Sequence, residues 1–125
     1  MSLAIETREL GYRAGKTFEL RDLNLRVPRG AIYGYLGPNG SGKTTTIRLL
    51  LGLLRPGAGD ITVLGHAIPK AAPQALARTG YVPERPHLYP SLTVEESLRY
   101  HAAFFPGWDQ RWADEPVVRF GLART

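Results

Sequence analysis

The run Gly37-Pro38-Asn39-Gly40-Ser41-Gly42-Lys43-Thr44 fits the pattern G-x-x-x-x-G-K-[ST] without a substitution. Each residue type has a part in holding an anion. Glycines reach backbone angles closed to other residues and let the main chain approach phosphate oxygens. Successive N–H groups then converge on one concavity. A helix opening directly after the loop adds free N–H donors and about half a positive charge. Lys43 supplies a mobile ammonium for the β and γ phosphates of a nucleotide, which makes it the first catalytic candidate. The Thr44 hydroxyl suits Mg2+, a hard cation that prefers oxygen. Thr45 is placed to support the α phosphate. The ligand expected from these residues is ATP, or a similar nucleotide, with magnesium.

Such a loop needs a strand to deliver it and a helix to receive it. Ala31 to Leu36 is short and almost wholly apolar, as expected of a strand buried on both faces. Thr44 to Leu54 reads as an apolar, buried helix stopped by Arg55-Pro56-Gly57-Ala58-Gly59. Upstream, Leu3 to Leu10 alternates loosely as a strand, and Gly11 to Lys16 reads as a turn. Phe18, Leu20, Leu23, Leu25 and Val27 predict a second strand with a break in phase near Asp22. Downstream, Ile61 to Leu64 predicts a short strand, Ala71 to Arg78 a short helix and Thr79 to Val82 a buried strand. Pro83 to Ser91 is proline-rich loop. Thr93-Val94-Glu95-Glu96 is a capping-box pattern opening a helix that Pro106-Gly107 ends. Gln110 to Phe120 predicts a last helix, with Pro116 inside it.

At 125 residues the chain has room for one ordinary domain. Its 43% hydrophobic and 22% charged residues are a globular balance. The absence of cysteine excludes a disulfide scaffold, a thiolate metal site and a cysteine nucleophile. No apolar run approaches the roughly 20 residues a bilayer span needs. The N-terminus has no basic segment of signal-peptide type, so a cytosolic location is expected. The net charge is +5, but the arginines are scattered, and no nucleic-acid partner is expected. The charge is uneven in one place: no acidic residue lies between Asp22 and Asp60, the stretch that contains the glycine-rich loop. His66, His87 and His101 show no metal-ligand spacing.

Around the loop the sequence resembles the ATP-binding domain of ABC transporters. The resemblance is carried by LGPNGSGKTTTIRLLLGLLRPGAGDITVLG, residues 36 to 65, preceded by Gly30-Ala31-Ile32-Tyr33. A second stretch, Gly80-Tyr81-Val82-Pro83-Glu84 followed by Leu92-Thr93-Val94-Glu95-Glu96, is similar to the family's Q-loop and the helix after it. The closest likeness within the family is to ATPases of bacterial exporters, in which the membrane subunit is a separate chain. The fold implied is α/β, of the P-loop NTPase type, N-terminal portion only. It comprises an antiparallel β subdomain, part of a parallel-sheet core and the start of a helical subdomain. The implied division is 1–84 for the β subdomain and core and 85–125 for the helical part.

The resemblance also implies roles. Tyr12 matches the aromatic residue that stacks on adenine; read without the family it is a turn tyrosine. Glu84 stands where the family has glutamine, touching Mg2+ and the attacking water. A carboxylate keeps the length and an oxygen ligand, loses the amide donor and adds a charge, so Glu84 is both a metal and a catalytic candidate. Leu88, Tyr89, Phe104 and Phe105 fall where the family docks its transmembrane permease, although internal packing is an equal reading for Phe104 and Phe105. Trp108 and Trp112 are expected to pack within the domain. The implied partners are that permease and a second ABC ATPase domain, like or unlike. The implied location is the inner face of the cell membrane. The acid that ends a buried strand, the LSGGQ-like signature and the switch histidine have no counterpart in the sequence. The chain therefore reads as the N-terminal half of an ATPase domain, with a nucleotide-holding module without hydrolysis, or a soluble ribosome-associated ABC protein, as alternatives.

Overall fold

A computed structural model describes residues 2–35, 42–85 and 88–122 of the chain. The chain divides into two compact units, Met1–Thr79 and Gly80–Thr125.

The first unit is an antiparallel sheet with two helices. Strand β1 (Leu3–Ala14) pairs with β2 (Phe18–Pro28) on one edge and β3 (Ala58–Val63) on the other, and β4 (His66–Ile68) closes the order β2-β1-β3-β4. Helix α1 (Lys43–Leu50) lies between β2 and β3 in sequence, and α2 (Ala72–Leu76) follows β4. The core gathers Leu10, Leu49, Ile61, Val63, Ile68, Ala72 and Ala75.

The phase break seen in the sequence is a pair of bulges. The register runs Thr7 opposite Leu25, Leu10 opposite Leu23 and Tyr12 opposite Leu20. One extra residue thus sits on β1 near Glu9 and another on β2 near Asp22, both in left-handed backbone (φ 48° and 46°). The bulge on β1 turns Leu10 and Tyr12 inward, where strict alternation from Ile5 and Thr7 would turn them out. Side chains replace the lost ladder bonds. Buried Thr7 donates its hydroxyl to the Leu23 carbonyl and accepts the Leu25 amide, both at 2.9 Å. Asn24 accepts the Glu9 amide at 2.9 Å and donates to the Asp22 carbonyl at 3.0 Å.

Several elements differ from the sequence expectation. Strand β1 runs on through Gly11 to Ala14, and the turn is Gly15–Thr17. Strand β3 starts at Ala58, and Leu64-Gly65, both at positive φ, form its two-residue connection to β4. Helix α1 stops at Leu50, four residues short of the expected end. The cause is Gly52 (φ 76°): its amide reaches the Leu49 carbonyl at 3.1 Å and the Leu53 amide the Arg48 carbonyl at 2.9 Å, a Schellman cap. Residues 31–35 and 79–82 are not strands, and Ile32 and Val82 stand almost wholly in water. A strand apolar on both faces needs neighbours on both edges and cover on both sides, and among the described residues these segments have neither. The parallel-core strands expected from the sequence are therefore not formed here.

The second unit contains α3 (Val94–Ala102) and α4 (Gln110–Arg119). The capping box of α3 is present: the Glu96 amide donates to Thr93 Oγ1 at 3.1 Å and the Thr93 amide to Glu96 Oε1 at 2.9 Å. Asp109 caps α4 through the Arg111 amide at 3.0 Å. Trp108 is half-buried beside His101, but Trp112 faces solvent on α4, contrary to the packing role expected. Leu88, Tyr89 and Phe104 are exposed, and half-buried Phe105 stacks on His101 with ring centroids 4.9 Å apart.

Candidate functional site

The start of α1 is built around one glycine. Gly42 is buried and left-handed (φ 96°) and serves as the N-cap. A β-carbon there would lie 3.1 Å from Phe18 Cζ and 3.4 Å from Leu20 Cδ1. Position 42 thus disfavours a side chain, chiefly through its backbone angle and further through tight space.

No side chain caps α1, and its first turn carries no acid. Among the described residues, no side chain takes up the N–H donors that this helix leaves unused at its start. Lys43 and Thr45 are partly exposed and Thr44 is exposed. An ammonium, a hydroxyl and free amides at a helix N-terminus make a setting that fits an anion and repels none. Among the described residues no group of three or more His, Asp or Glu could hold a metal. The Thr44 hydroxyl is an oxygen donor of the kind a hard cation such as magnesium would take.

Tyr12 belongs to β1, not to a turn. It is half-buried against the core and stands opposite Leu20, whose side chain lies close to where a β-carbon on Gly42 would be. Tyr12 and the start of α1 are thereby joined through one intervening residue. Glu84 lies in the second unit, exposed at a bend. Gly37, Pro38, Asn39, Gly40 and Ser41 lie outside the described residues.

Thr46 was not legible as a site residue. Its neighbours Thr44 and Thr45 offer the same chemistry, and only the three-residue spacing to buried Leu49 marks Thr46 as the inward one. It is fully buried and donates to the Gly42 carbonyl, from its amide at 2.8 Å and its hydroxyl at 2.7 Å. The Tyr35 hydroxyl lies 3.3 Å from the same Oγ1.

The chain is similar to known proteins over most of its length. Residues 20–125 match the ABC transporter family model. The Nod factor export ATP-binding protein I of Cupriavidus pinatubonensis is 46% identical over 105 residues, covering 84% of this chain and 32% of that protein. The bacitracin transport ATP-binding protein BcrA of Bacillus licheniformis is 39% identical over 122 residues, 98% of this chain and 40% of that one. A solved structure of an ABC transporter ATP-binding subunit superposes with a TM-score of 0.79 at 30% identity, over 94% of this chain and 50% of that one. The chain spans about a third to two fifths of the length of these curated relatives.

Proposed function

This chain belongs to the ABC transporter family, and from that premise we propose that it is the nucleotide-binding portion of a transporter ATP-binding subunit, taking MgATP at the start of α1. The observation that carries the reading is the uncapped, acid-free first turn of α1 behind a buried left-handed glycine, with Lys43 and Thr44 presented to solvent.

The amides of residues 43–45 and the Lys43 ammonium would bind and orient the triphosphate, with the Thr44 hydroxyl as the residue beside them to hold magnesium. Magnesium, when bound, would supply charge neutralisation for the phosphates. Tyr12 would place the base by stacking, which favours affinity over strict choice of base. Leu88, Tyr89 and Phe104 are exposed, as a permease contact requires. Through a permease and a second ATPase domain the subunit would work at the inner membrane face, binding and hydrolysing ATP to drive transport. No helix of the described residues is long and apolar enough to cross a membrane.

The test is titration with a fluorescent ATP analogue in the presence and absence of magnesium, with ATP and ADP as competitors. Saturable binding displaced by both is expected. A flat titration on folded protein overturns the reading. A second reading, a module that holds nucleotide without splitting it, is favoured by Glu84 standing in place of the family's glutamine. Tight binding with zero phosphate release selects it; phosphate release lost in Lys43→Ala selects the ATPase.

A further inference from the structure

We propose that Tyr35 and Thr46 are positioning residues for the phosphate site: a hydroxyl relay, Tyr35 to Thr46 to the Gly42 carbonyl, that fixes and polarises the first peptide unit of α1. The inference rests on the nucleotide reading above.

The direction of the relay follows from proton counting. A threonine hydroxyl has one proton to give. The Gly42 carbonyl, 2.7 Å from Thr46 Oγ1, can only accept, so it takes that proton. In the 3.3 Å contact the Tyr35 hydroxyl is therefore the donor and Thr46 Oγ1 the acceptor. The Gly42 carbonyl also accepts the Thr46 amide at 2.8 Å, so two donors converge on one oxygen. Thr46 is fully buried, so its hydroxyl finds its partners within the protein.

The consequence runs through the amide. The Gly42 carbonyl and the Lys43 N–H belong to one planar trans peptide and point in opposite directions. Hydrogen bonds to the oxygen draw electron density from the nitrogen side and strengthen the N–H as a donor. The Lys43 N–H is among the first-turn donors that α1 does not use. The relay thus acts on a group that meets an anion at the helix start. It also joins Tyr35, the residue before segment 36–41, to Gly42, the residue after it.

A threonine that bonds the carbonyl four residues back is often only local helix structure. The experiment separates the two roles. Tyr35→Phe, Thr46→Val and Thr46→Ser are compared with the unmodified chain by displacement of a fluorescent ATP analogue with ATP and with inorganic pyrophosphate, alongside nucleotide-free thermal melts. Thr46→Val is expected to weaken ATP binding about tenfold and Tyr35→Phe about threefold, the worth of one neutral hydrogen bond in each range. Thr46→Ser should restore binding, and pyrophosphate should weaken by the same factors as ATP. Equal ATP affinity in folded Thr46→Val and Tyr35→Phe overturns the relay, as does a loss confined to ATP with pyrophosphate unaffected. If Thr46→Val does not fold, Tyr35→Phe decides alone, because it removes a single oxygen from a half-exposed ring. Absence of binding in the unmodified chain sinks the nucleotide reading and the relay together, whereas intact binding with indifferent variants sinks the relay only.

Discussion

Gly59 leaves no room for a β-carbon beside Glu9, because one there would collide with the carbonyl oxygens of Glu9 and Arg8. Glu9 is the left-handed residue of the β1 bulge and Gly59 is itself left-handed (φ 79°), so the bulge and the start of β3 share one tight crossing. Gly59→Ala is expected to cost at least about 2 kcal/mol, from backbone collision added to an unfavourable φ. Gly65→Ala, also at positive φ but with open space around it, should cost about 1 kcal/mol. Thermal or urea unfolding of the two variants measures the difference, and equal losses would contradict the crossing.

Lys43→Ala removes the only cationic side chain in the first turn of α1. A charge-assisted hydrogen bond is worth roughly 1.5–3 kcal/mol, so ATP affinity should fall about tenfold or more. Calorimetry reads this directly. The melting temperature without nucleotide should hardly change, because Lys43 makes no ion pair among the described residues.

Tyr12 tests the stacking role. Tyr12→Phe keeps the ring and should leave ATP affinity near its original value. Tyr12→Ala should lower it about tenfold or more, the scale of one base–aromatic stack. The same variant loses half-buried surface against the core, so the comparison is made by affinity at a temperature where both variants are folded.

The capping box of α3 gives a pH dependence. The Thr93 amide, and then the Thr93 hydroxyl contact, hold the Glu96 carboxyl below its ordinary range. A depressed folded pKa contributes stability that is complete above the unfolded value, about 4.3 for glutamate, and is lost as pH falls through the lower folded value. Thr93→Ala should cost about 1 kcal/mol near neutrality. Glu96→Ala removes the titrating carboxylate and should also destabilise near neutrality, and the difference between this variant and the parent should shrink in acid below the ordinary glutamate range, as followed by helical circular dichroism. A difference that stays constant into acid would show that Glu96 takes no part.

The local rules of the chain were readable where one segment supplies its own partners. The box at Thr93 and Glu96 is such a case, because cap and helix lie within four residues. The hairpin bulge was visible as a slip in apolar spacing near Asp22, though its match at Glu9 was not, since polar Thr7 takes an inward position by bonding its own strand partner. The stop at Gly52 was hidden inside a leucine-rich run, where apolar periodicity argued for a longer helix and the single glycine decided otherwise. Residues 31–35 and 79–82 show the converse. Their composition states what surroundings they require, and composition alone does not supply a neighbouring strand. At the site, Lys43 and Thr44 followed from the motif, whereas Thr46 and Tyr35 emerged only from burial and distance.

The two opposed bulges have a further effect on how the hairpin comes together. An alternating ribbon can slide along its partner and find shallow resting places on the way. Here, between Thr7 and Tyr12, each strand carries a surplus residue at a different level, like the teeth and notches of a key. Displaced by one residue, Thr7 would meet the wrong carbonyl and Leu10 would turn toward solvent, so a shifted alignment forfeits its rungs and its apolar cover together. Assembly of β1 on β2 therefore admits a single alignment, and errors are undone by separation and not by creeping.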